Sequence, residues 1–377
     1  MARYAILNDT HFGSRKTSEI IIEEQRKFFD EVFFPYCKKH RIKGIFHAGD
    51  YWTDRYALSV KSMYVSRKMF LEKLRDNGMT MEIIPGNHDL AFKNNSVLNS
   101  LKESFGYFQP HVVIHSNPTE CIYEDGMKIL WLPWVNSENL RRSLDAIEKT
   151  DAPILIGHLA LSGFEFFKGQ EAETVEDEYI TKDHLSKFKA VWSGHYHHKS
   201  SRDNITYLGS QYQMTWNDYG SRKFFHVVNT KTPTKLIAVE NPRSLYEHYY
   251  YDDKTGKDDI ISFDPKRFKE KYVKIFILQK TNPHLFETFI EKLNSFSGAH
   301  EIRVMPAQII TVESQSLGDS IVSSDIVRRN TVDLVNEFIN EHANPEVYNQ
   351  DILKRIAHRL LIESETLSVK SSSEFTE

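Results

Sequence analysis

Five short apolar segments, spread over nearly two hundred residues, each end in side chains that bind metals or move protons. Each segment is long enough for a buried strand. The five are Ala5–His11, Gly44–Asp50, Met81–Asp89, Ile154–His158 and Ala190–His197. In open α/β sheets, the loops that follow the carboxyl ends of the strands converge over the sheet. The sequence therefore predicts an α/β fold in which these five turns meet.

The segment Pro85–Asp89 shows what such a turn offers. Gly86 has no Cβ, so the backbone can approach an ion or a phosphate closely. Asn87 carries a neutral oxygen ligand, and His88 carries a nitrogen whose charge changes near neutral pH. Asn, His and Asp are also common in turns for local hydrogen-bonding reasons. The functional interpretation therefore depends on all five segments together.

The candidate ligands combine carboxylate and amide oxygens with imidazole nitrogens and include no thiolate. They are Asp9, His11, Asp50, Asn87, His158, His195 and His197. Such a set suits Mn²⁺, Fe²⁺ or Zn²⁺ rather than Ca²⁺ or a cysteine-built structural zinc. Seven ligands are too many for one ion and fit two divalent ions if one carboxylate bridges them, a role for which Asp50 is the natural candidate.

Two ions about 3.5–4 Å apart can clamp both oxygens of an in-line displacement at phosphorus and lower the pKa of a shared water. His88 lies next to a ligand in sequence and fits the general acid that protonates the leaving oxygen. Asp89 fits a supporting residue that orients a neighbouring imidazole or its own turn. His47 and His198 match no ligand position and are interpreted as ordinary structural residues.

These motifs, in this order, resemble the signature of the calcineurin-like metallophosphoesterase family. The matching motifs are Asp9-Thr10-His11, Gly49-Asp50, Gly86-Asn87-His88-Asp89, Gly157-His158 and Gly194-His195-Tyr196-His197. By this resemblance, one ion is held by Asp9, His11, Asp50 and His197, and the other by Asp50, Asn87, His158 and His195. The resemblance implies a four-layer α/β/β/α sandwich.

Within that family, residues 1–240 resemble the SbcD-type recombination nucleases, and most of all the branch that includes the recombination endonuclease subunits of T-even-like bacteriophages. Further similar features are Leu132-Pro133-Trp134, Phe188-Lys189-Ala190-Val191 and Tyr207-Leu208-Gly209-Ser210. The resemblance implies a Mn²⁺-dependent DNA nuclease of recombination and repair, with double-strand exonuclease and single-strand endonuclease activity. It also implies an SbcC-like coiled-coil ATPase partner and a homodimer. The chain departs from some relatives by having Thr53 where they carry His or Asp.

We expect four regions along the chain. They are a nuclease domain at 1–245, a small α+β capping domain that contacts DNA at 260–315, C-terminal helices for the ATPase partner at 320–365, and a disordered tail at 366–377. The boundary between the first two is placed at the charged, turn-prone stretch 252–259. We expect an antiparallel portion from the short strands at 112–114, 121–123 and 128–132. The acidic, aromatic insertion 162–178 is predicted as either a functional lid or a solvated loop.

The formal net charge of −4 argues against a generally basic nucleic-acid binder, whose affinity would come from counterion release over its whole surface. A phosphate polymer must therefore be held by a local patch, by metal or by a partner. Basic residues near the motifs are candidate phosphate contacts or ordinary surface residues. They are Arg15, Lys16, Arg55, Lys93, Arg202, Arg222 and Lys223.

With only two cysteines, no apolar run of about 20 residues and no signal peptide pattern, the sequence predicts a cytoplasmic protein without a membrane segment. For a bacteriophage protein this means the host cytoplasm. Two other functions fit the same motifs. One is a phosphatase or small-molecule phosphodiesterase, and the other is a structural subunit of a repair complex that has lost catalysis.

Overall fold

The computed structural model describes residues 2–108, 110–172, 175, 178–305 and 353–354. The chain divides into two units, Met1–Gly318 and Asp319–Glu377. Residues 353–354, the described part of the second unit, are helical. Apart from these two residues, the predicted C-terminal helices at 320–365 and the predicted tail at 366–377 lie outside the described residues.

The described part of the first unit contains nineteen strands. In chain order they are β1 (Arg3–Leu7), β2 (Gly44–His47), β3 (Thr80–Ile83), β4 (Leu90–Phe92), β5 (Asn95–Asn99), β6 (Val112–Ile114), β7 (Thr119–Ile122), β8 (Lys128–Leu132), β9 (Ile154–His158), β10 (Glu165–Phe167), β11 (Gln170–Glu171), β12 (Ala190–Gly194), β13 (Ser200–Arg202), β14 (Ile205–Tyr207), β15 (Lys223–Asn229), β16 (Thr232–Asn241), β17 (Tyr246–Asp252), β18 (Tyr272–Gln279) and β19 (Glu301–Met305).

The helices are mostly short and lie between the strands. The α-helices are Glu19–Lys27, Phe34–His40, Val60–Ser66, Glu72–Asp76, Ser100–Ser104, Leu140–Lys149, Lys182–Leu185, Lys257–Ser262 and Pro283–Phe296. Wider π-helical turns occupy Phe28–Phe33 and Arg67–Leu71, and 3₁₀ turns occupy Asn87–Asp89, Gly106–Phe108, Glu124–Gly126, Trp216–Asp218 and Pro265–Phe268. Across the described residues, no helix combines the length and the apolar composition that crossing a bilayer requires.

The chain is helical from Glu19 to His40, with a π-helical turn in the middle of this stretch. That turn, Phe28–Phe33, ends just before Pro35. Proline lacks an N–H and its ring clashes with the carbonyl four residues earlier, so a wider turn relieves the clash. Gly78 lies just beyond the next helical stretch and adopts a φ of 66°, as a C-terminal glycine cap requires.

Two six-stranded sheets pack face to face. Their strand orders are β16-β15-β1-β2-β3-β6 and β13-β14-β12-β9-β8-β7. Alternate residues of β1 point to opposite sides: Ala5 and Leu7 enter the core under the helices, while Tyr4 and Ile6 enter the core between the sheets. A third core covers the outer face of the second sheet. The predicted α/β/β/α sandwich is therefore confirmed.

The antiparallel portion expected between 112 and 132 is only partly present. β7 pairs with β8 in antiparallel fashion, but β6 pairs with β3 in parallel and so belongs to the first sheet. Spacing along the chain could not reveal this arrangement, because β6 and β7 lie close in sequence yet enter different sheets.

The predicted insertion contains a short hairpin in its described part. β10 and β11 pair in antiparallel fashion, and Phe164 and Phe166 pack on the core outside the second sheet. The aromatic residues of this segment therefore have a packing role. The interpretation of the segment as a functional lid stays a prediction.

Beyond the sandwich lies a small sheet of three parallel strands, β17-β18-β19. The helix Pro283–Phe296 covers it through Phe289 and Leu293. This sheet begins at Tyr246, before the boundary expected at 252–259. The sequence of β17 is rich in Tyr, Glu and His, so it lacks the apolar run that marks the other strands. The division into a nuclease and a capping domain stays a prediction.

Candidate metal centre

The turns that follow five parallel strands meet at one place between the two sheets. β1, β2 and β3 contribute from the first sheet, and β9 and β12 contribute from the second. The donor atoms there form two groups, each within 4.8 Å: Asp9, His11 and His197, and Asp50, His158 and His195. Asn87 joins the second group, with its Oδ1 3.1 Å from His158 Nε2 and 3.1 Å from His195 Nδ1. All seven predicted ligands thus lie together.

The carboxylate of Asp50 lies between the two groups. Its Oδ2 is 3.3 Å from His158 Nε2 in one group and 3.7 Å from His11 Nε2 in the other. Its Oδ1 accepts a hydrogen bond from the backbone N–H of His88, at 2.9 Å. A single oxygen therefore faces both groups, which is the arrangement that a bridging ligand needs.

The spacing of the donor atoms fits divalent cations. His11 Nε2 lies 3.1 Å from His197 Nε2. Ligand bonds of about 2.0–2.2 Å place neighbouring donors of one metal shell roughly 3.0–3.5 Å apart. The two groups contain oxygen and nitrogen donors only, so the chemistry of the donor set also fits. These residues could hold two divalent ions.

Burial and mutual charge set the protonation of the centre. Burial, together with the neighbouring His158, lowers the pKa of His195 to about 3. Burial likewise holds the pKa of His11 well below its usual range. Burial acts against the charged form of Asp50, but the surrounding imidazoles, led by His158, keep the pKa of this carboxyl well below its usual value. Neutral imidazoles and ionised carboxylates are the forms that bind metals.

His158 differs from the other imidazoles of the centre. Burial acts to lower its pKa, but the neighbouring Asp50 and Asp9 outweigh burial and raise the pKa to about 9. Its Nδ1–H donates a 2.7 Å hydrogen bond to the carbonyl of Ala48. This bond orients the ring so that Nε2 faces Asp50 and Asn87.

The backbone at the centre is held in an uncommon conformation. Asp9, His11, Asp50 and His195 have positive φ angles of 45°, 44°, 55° and 92°. Such conformations cost on the order of 1–3 kcal/mol each, and they cluster at functional sites. A side chain at Gly86 would overlap the carboxylate of Asp50. The close approach expected at Gly86 is therefore to the side chain of a predicted ligand.

Asn8 is a residue whose role the sequence analysis missed. Its side-chain amide donates to Oδ2 of Asp9 and to the carbonyl of Gly209. The backbone N–H of His195 donates to the same Asp9 oxygen at 3.1 Å. Asn8 directly precedes the first motif, and this adjacency was the available signal.

His88 points toward the first group of donors but does not belong to either group. Its ring lies edge-on to the ring of His11, with 5.1 Å between the ring centres. Its Nδ1–H donates a 2.7 Å hydrogen bond to the carbonyl of Thr53. The hydroxyl of Thr53 in turn donates to the carbonyl of His11, at 2.7 Å. Thr53, which departs from some relatives, therefore orients the proposed general acid through its backbone.

Asp89 ties two of the turns together. Its carboxylate accepts hydrogen bonds from the backbone N–H groups of Tyr51, Trp52 and Gly86, at 2.9–3.2 Å. Burial and the charge of Asp50 raise its pKa to about 7, against the opposing effect of these donors. These contacts indicate that Asp89 organises its own turn rather than orienting a neighbouring imidazole.

The two histidines interpreted as structural lie outside both groups. His47 is buried, and its Nε2 lies 3.1 Å from the hydroxyl of Thr10. His198 lies 3.1 Å from a carboxylate oxygen of Glu165. These contacts fit the ordinary structural reading of both residues.

The basic residues near the motifs fall into different environments. Lys223 is buried and pairs with Asp218, so it cannot reach a substrate phosphate. Arg202 pairs with Glu171 and Arg222 pairs with Glu240 at the surface. Arg55 and Lys93 line a cleft that opens on Asn87 and His195, both predicted ligands. These last two are the basic side chains best placed to meet a phosphate.

Comparison with known proteins assigns residues 2–199 to the family described as Calcineurin-like phosphoesterase. Exonuclease subunit 1 of Enterobacteria phage T4 is 29% identical over 361 residues, which cover 95% of this chain and 98% of that protein.

Two solved structures are similar to this chain at lower sequence identity. An archaeal phosphodiesterase is 13% identical over 63% of this chain and 99% of its own, with a TM-score of 0.33. The phosphopantetheinyl hydrolase PptH from Mycobacterium tuberculosis is 11% identical over 64% of this chain and 96% of its own, with a TM-score of 0.36. Likenesses this remote do not bear on the substrate of this chain.

Proposed function

The chain belongs to the calcineurin-like phosphoesterase family, and from that premise we propose that it is a two-metal DNA nuclease. We infer double-strand exonuclease and single-strand endonuclease activity in recombination and repair, as the nuclease subunit of an SbcCD-like complex. The observation that carries the proposal is the pair of donor groups on either side of Asp50, with His88 beside them. DNA is the proposed substrate because the T4 protein similar over 95% of this chain is an exonuclease subunit.

The seven donors divide into two sets around the shared carboxylate. Asp9, His11, His197 and Asp50 would hold one ion, and Asp50, Asn87, His158 and His195 would hold the other. Bound divalent cations supply Lewis-acid chemistry at phosphorus and an activated water. Mn²⁺ is the proposed metal, because it accepts mixed oxygen and nitrogen ligands.

His88 is proposed to protonate the leaving oxygen of the phosphodiester. Because Nδ1–H is engaged by the carbonyl of Thr53, Nε2 is the ring nitrogen left to carry the transferred proton. The edge-on contact with His11 keeps this ring beside the first group of donors. Asp89 supports the reaction indirectly by fixing the turns of Gly86 and Tyr51.

The remaining regions are proposed to control access and assembly. Residues 1–245 would form the nuclease domain, 260–315 would contact DNA as a capping domain, and 320–365 would bind an SbcC-like coiled-coil ATPase. A homodimer is also proposed. The helix Val60–Ser66 supports it, since this helix exposes 83% of Val60 and 56% of Tyr64.

Degradation of DNA by the purified chain tests the proposed function. End-labelled duplex and single-stranded DNA are incubated with and without Mn²⁺, product ends are mapped, and methyl p-nitrophenyl phosphate serves as a small phosphodiester. We expect Mn²⁺-dependent cleavage of DNA at a much higher kcat/KM than that of the small ester. Comparable rates on both would favour a small-molecule phosphodiesterase. Metal binding without hydrolysis of either would favour a structural subunit.

A further inference from the structure

The cleft beside the second group of donors has a volume of about 290 Å³, near the lower end of small-ligand pockets. Asn87 and His195 line it together with Arg55, Phe92 and Lys93. The cleft therefore combines an aromatic side chain and two cations with two residues proposed to hold a metal.

The hairpin of β4 and β5 directs Phe92 into this cleft. Leu90 is buried against Trp134 and Ala160. Leu90 and Phe92 both line the cleft, and Phe92 lies farther toward the turn of the hairpin. The hairpin is anchored at Ser96, whose hydroxyl accepts hydrogen bonds from Asn136 and Asn139 at 3.1 and 2.9 Å. Asn95, the residue before Ser96, pairs with Phe92, so this anchor holds the end of the hairpin that carries the aromatic ring.

Phe92 remains 58% exposed although it lies beside a buried apolar cluster. Trp134 cannot serve as an exposed ring, since it is only 6% exposed and packs 5.0 Å from the ring of His195. Phe92 is therefore the aromatic surface that the cleft offers to a ligand.

The two cations of the cleft are free to meet an anion. Within the described part of the chain, neither Arg55 nor Lys93 takes part in an ion pair, unlike Arg202 and Arg222. Lys93 follows Phe92 directly at the turn of the hairpin. An aromatic face flanked by unpaired cations is the combination that binds single-stranded nucleic acid, by stacking on bases and contacting phosphates.

We propose that Phe92, Lys93 and Arg55 form a nucleotide-binding subsite next to the scissile phosphate. This inference rests on the proposed function. The Phe92 ring stacks on one unpaired base, and the two cations hold the backbone phosphate beside it. The subsite positions a single strand with its phosphodiester at the donor groups. The subsite contacts the face of the base and the phosphate charge, which all nucleotides share. Its binding therefore does not depend on the base sequence.

Binding of a fluorescein-labelled oligothymidine, measured by anisotropy in the His88→Ala background with Mn²⁺, tests the stacking. Stacking contributes enough that Phe92→Ala should weaken binding about tenfold, while Phe92→Trp should keep it. Phe296→Ala is the matched control, because Phe296 is 67% exposed on the helix Pro283–Phe296, and binding should not change.

A series of oligonucleotides, each with one abasic residue at a different position, locates the stacked base. At one position the loss of the base should weaken binding by about the same factor as Phe92→Ala, and the two changes together should have little further effect. For the cations, Lys93→Ala and Arg55→Ala should each reduce the slope of log Kd against log salt by about 0.7, the value for one phosphate contact on a single strand.

The outcomes separate this inference from the proposed function. If wild-type protein cleaves DNA, but adding Phe92→Ala to His88→Ala does not weaken binding of the oligonucleotide, the subsite is overturned and the nuclease stands. If wild-type protein neither binds nor cleaves the oligonucleotide while hydrolysing the small ester, both are overturned.

Discussion

At the scale of single residues, the centre depends on side chains that are held from several directions. Asp9 illustrates this, because its carboxylate accepts hydrogen bonds from the side chain of Asn8 and from the backbone of His195. Asp50 is held in the same way by the N–H of His88. Such contacts fix donor atoms before any ion arrives, and this preorganisation offsets the strain of the positive φ angles at these residues.

Replacement of the proposed general acid tests its role separately from metal binding. We expect His88→Ala to lower kcat on DNA by about 10²–10⁴-fold, the usual contribution of a general acid. The stoichiometry of bound Mn²⁺, measured by isothermal titration, should persist because His88 belongs to neither donor group. His284→Ala, at an exposed position of the helix Pro283–Phe296, is the control. Unchanged turnover in His88→Ala would remove this residue from the mechanism.

His226 in β15 makes stability depend on pH. It is fully buried, neither ring nitrogen has a hydrogen-bond partner among the described residues, and burial lowers its pKa to about 3. The unfolded chain binds a proton at this residue below about pH 6.5, whereas the folded chain does not until about pH 3. Its contribution to the free energy of unfolding is therefore intact above pH 6.5 and is lost as the pH falls toward 3.

The measurement compares wild type with His226→Leu by urea unfolding at pH 7.5 and pH 5.0, in EDTA. Wild type should lose about 2 kcal/mol more between these pH values than the variant, at roughly 1.4 kcal/mol per pH unit below 6.5. Equal losses in the two proteins would show that His226 does not titrate in this way.

At the scale of secondary-structure elements, the strands act as rigid supports for the turns that follow them. β9 and β12 pair in parallel register, so that Gly194 lies opposite His158 at their carboxyl ends. The later strand β15 supports the same region from outside, because Lys223 at its start donates to the carbonyl of His197 at 3.0 Å. An element that contributes no ligand therefore still positions one.

The buried pair of Lys223 and Asp218 should be important for both stability and metal binding. Both side chains are 2% exposed, and removal of one partner leaves the other charge buried and unpaired, at a cost of about 3–5 kcal/mol. We expect Asp218→Asn to lower the melting temperature and to weaken Mn²⁺ binding, because the support of His197 is loosened. Differential scanning fluorimetry and metal titration would measure these two effects.

The adjacent surface pair provides the matched control. Arg222 pairs with Glu240, with side chains 70% and 40% exposed. Glu240→Gln should cost less than about 1 kcal/mol, as exposed ion pairs usually do. If both variants had the same small effect, Lys223 and Asp218 would not support the centre.

At the scale of the whole molecule, the two sheets bring together turns that are far apart in sequence. The core between the sheets joins Ile6 and Phe46 of the first sheet to Ile156 and Trp192 of the second. Because this packing fixes one sheet against the other, Asp50 from the first sheet and His158 from the second lie within 3.3 Å. The centre exists only when both sheets are assembled.

The proposed homodimer is a prediction at this scale. A twofold interface uses the same patch on both subunits, and Val60, Met63 and Tyr64 form an exposed apolar stripe on one helix. Wild type should elute with twice the 44.1 kDa chain mass in size-exclusion chromatography with light scattering. Val60→Asp combined with Tyr64→Asp should give the monomer, while Phe296→Asp should not. A monomeric wild type would exclude the dimer.

The sequence by itself determined the chemistry of the centre and the α/β layers that carry it. Side-chain types are read directly from the sequence, and the alternation of apolar runs with turns specifies strands that end in ligands. All seven candidate ligands, His88 and Asp89 could therefore be named, and the structure brings them together.

Only the tertiary structure decided how those residues face one another. Contacts between distant segments place one oxygen of Asp50 near both His11 and His158. Such contacts also let Thr53 orient His88 and let the buried Lys223 donate to the carbonyl of His197. The pairing of β6 with β3 and the start of the small sheet at Tyr246 have the same origin. Local sequence specifies which atoms are available, but packing between the sheets sets the distances between them.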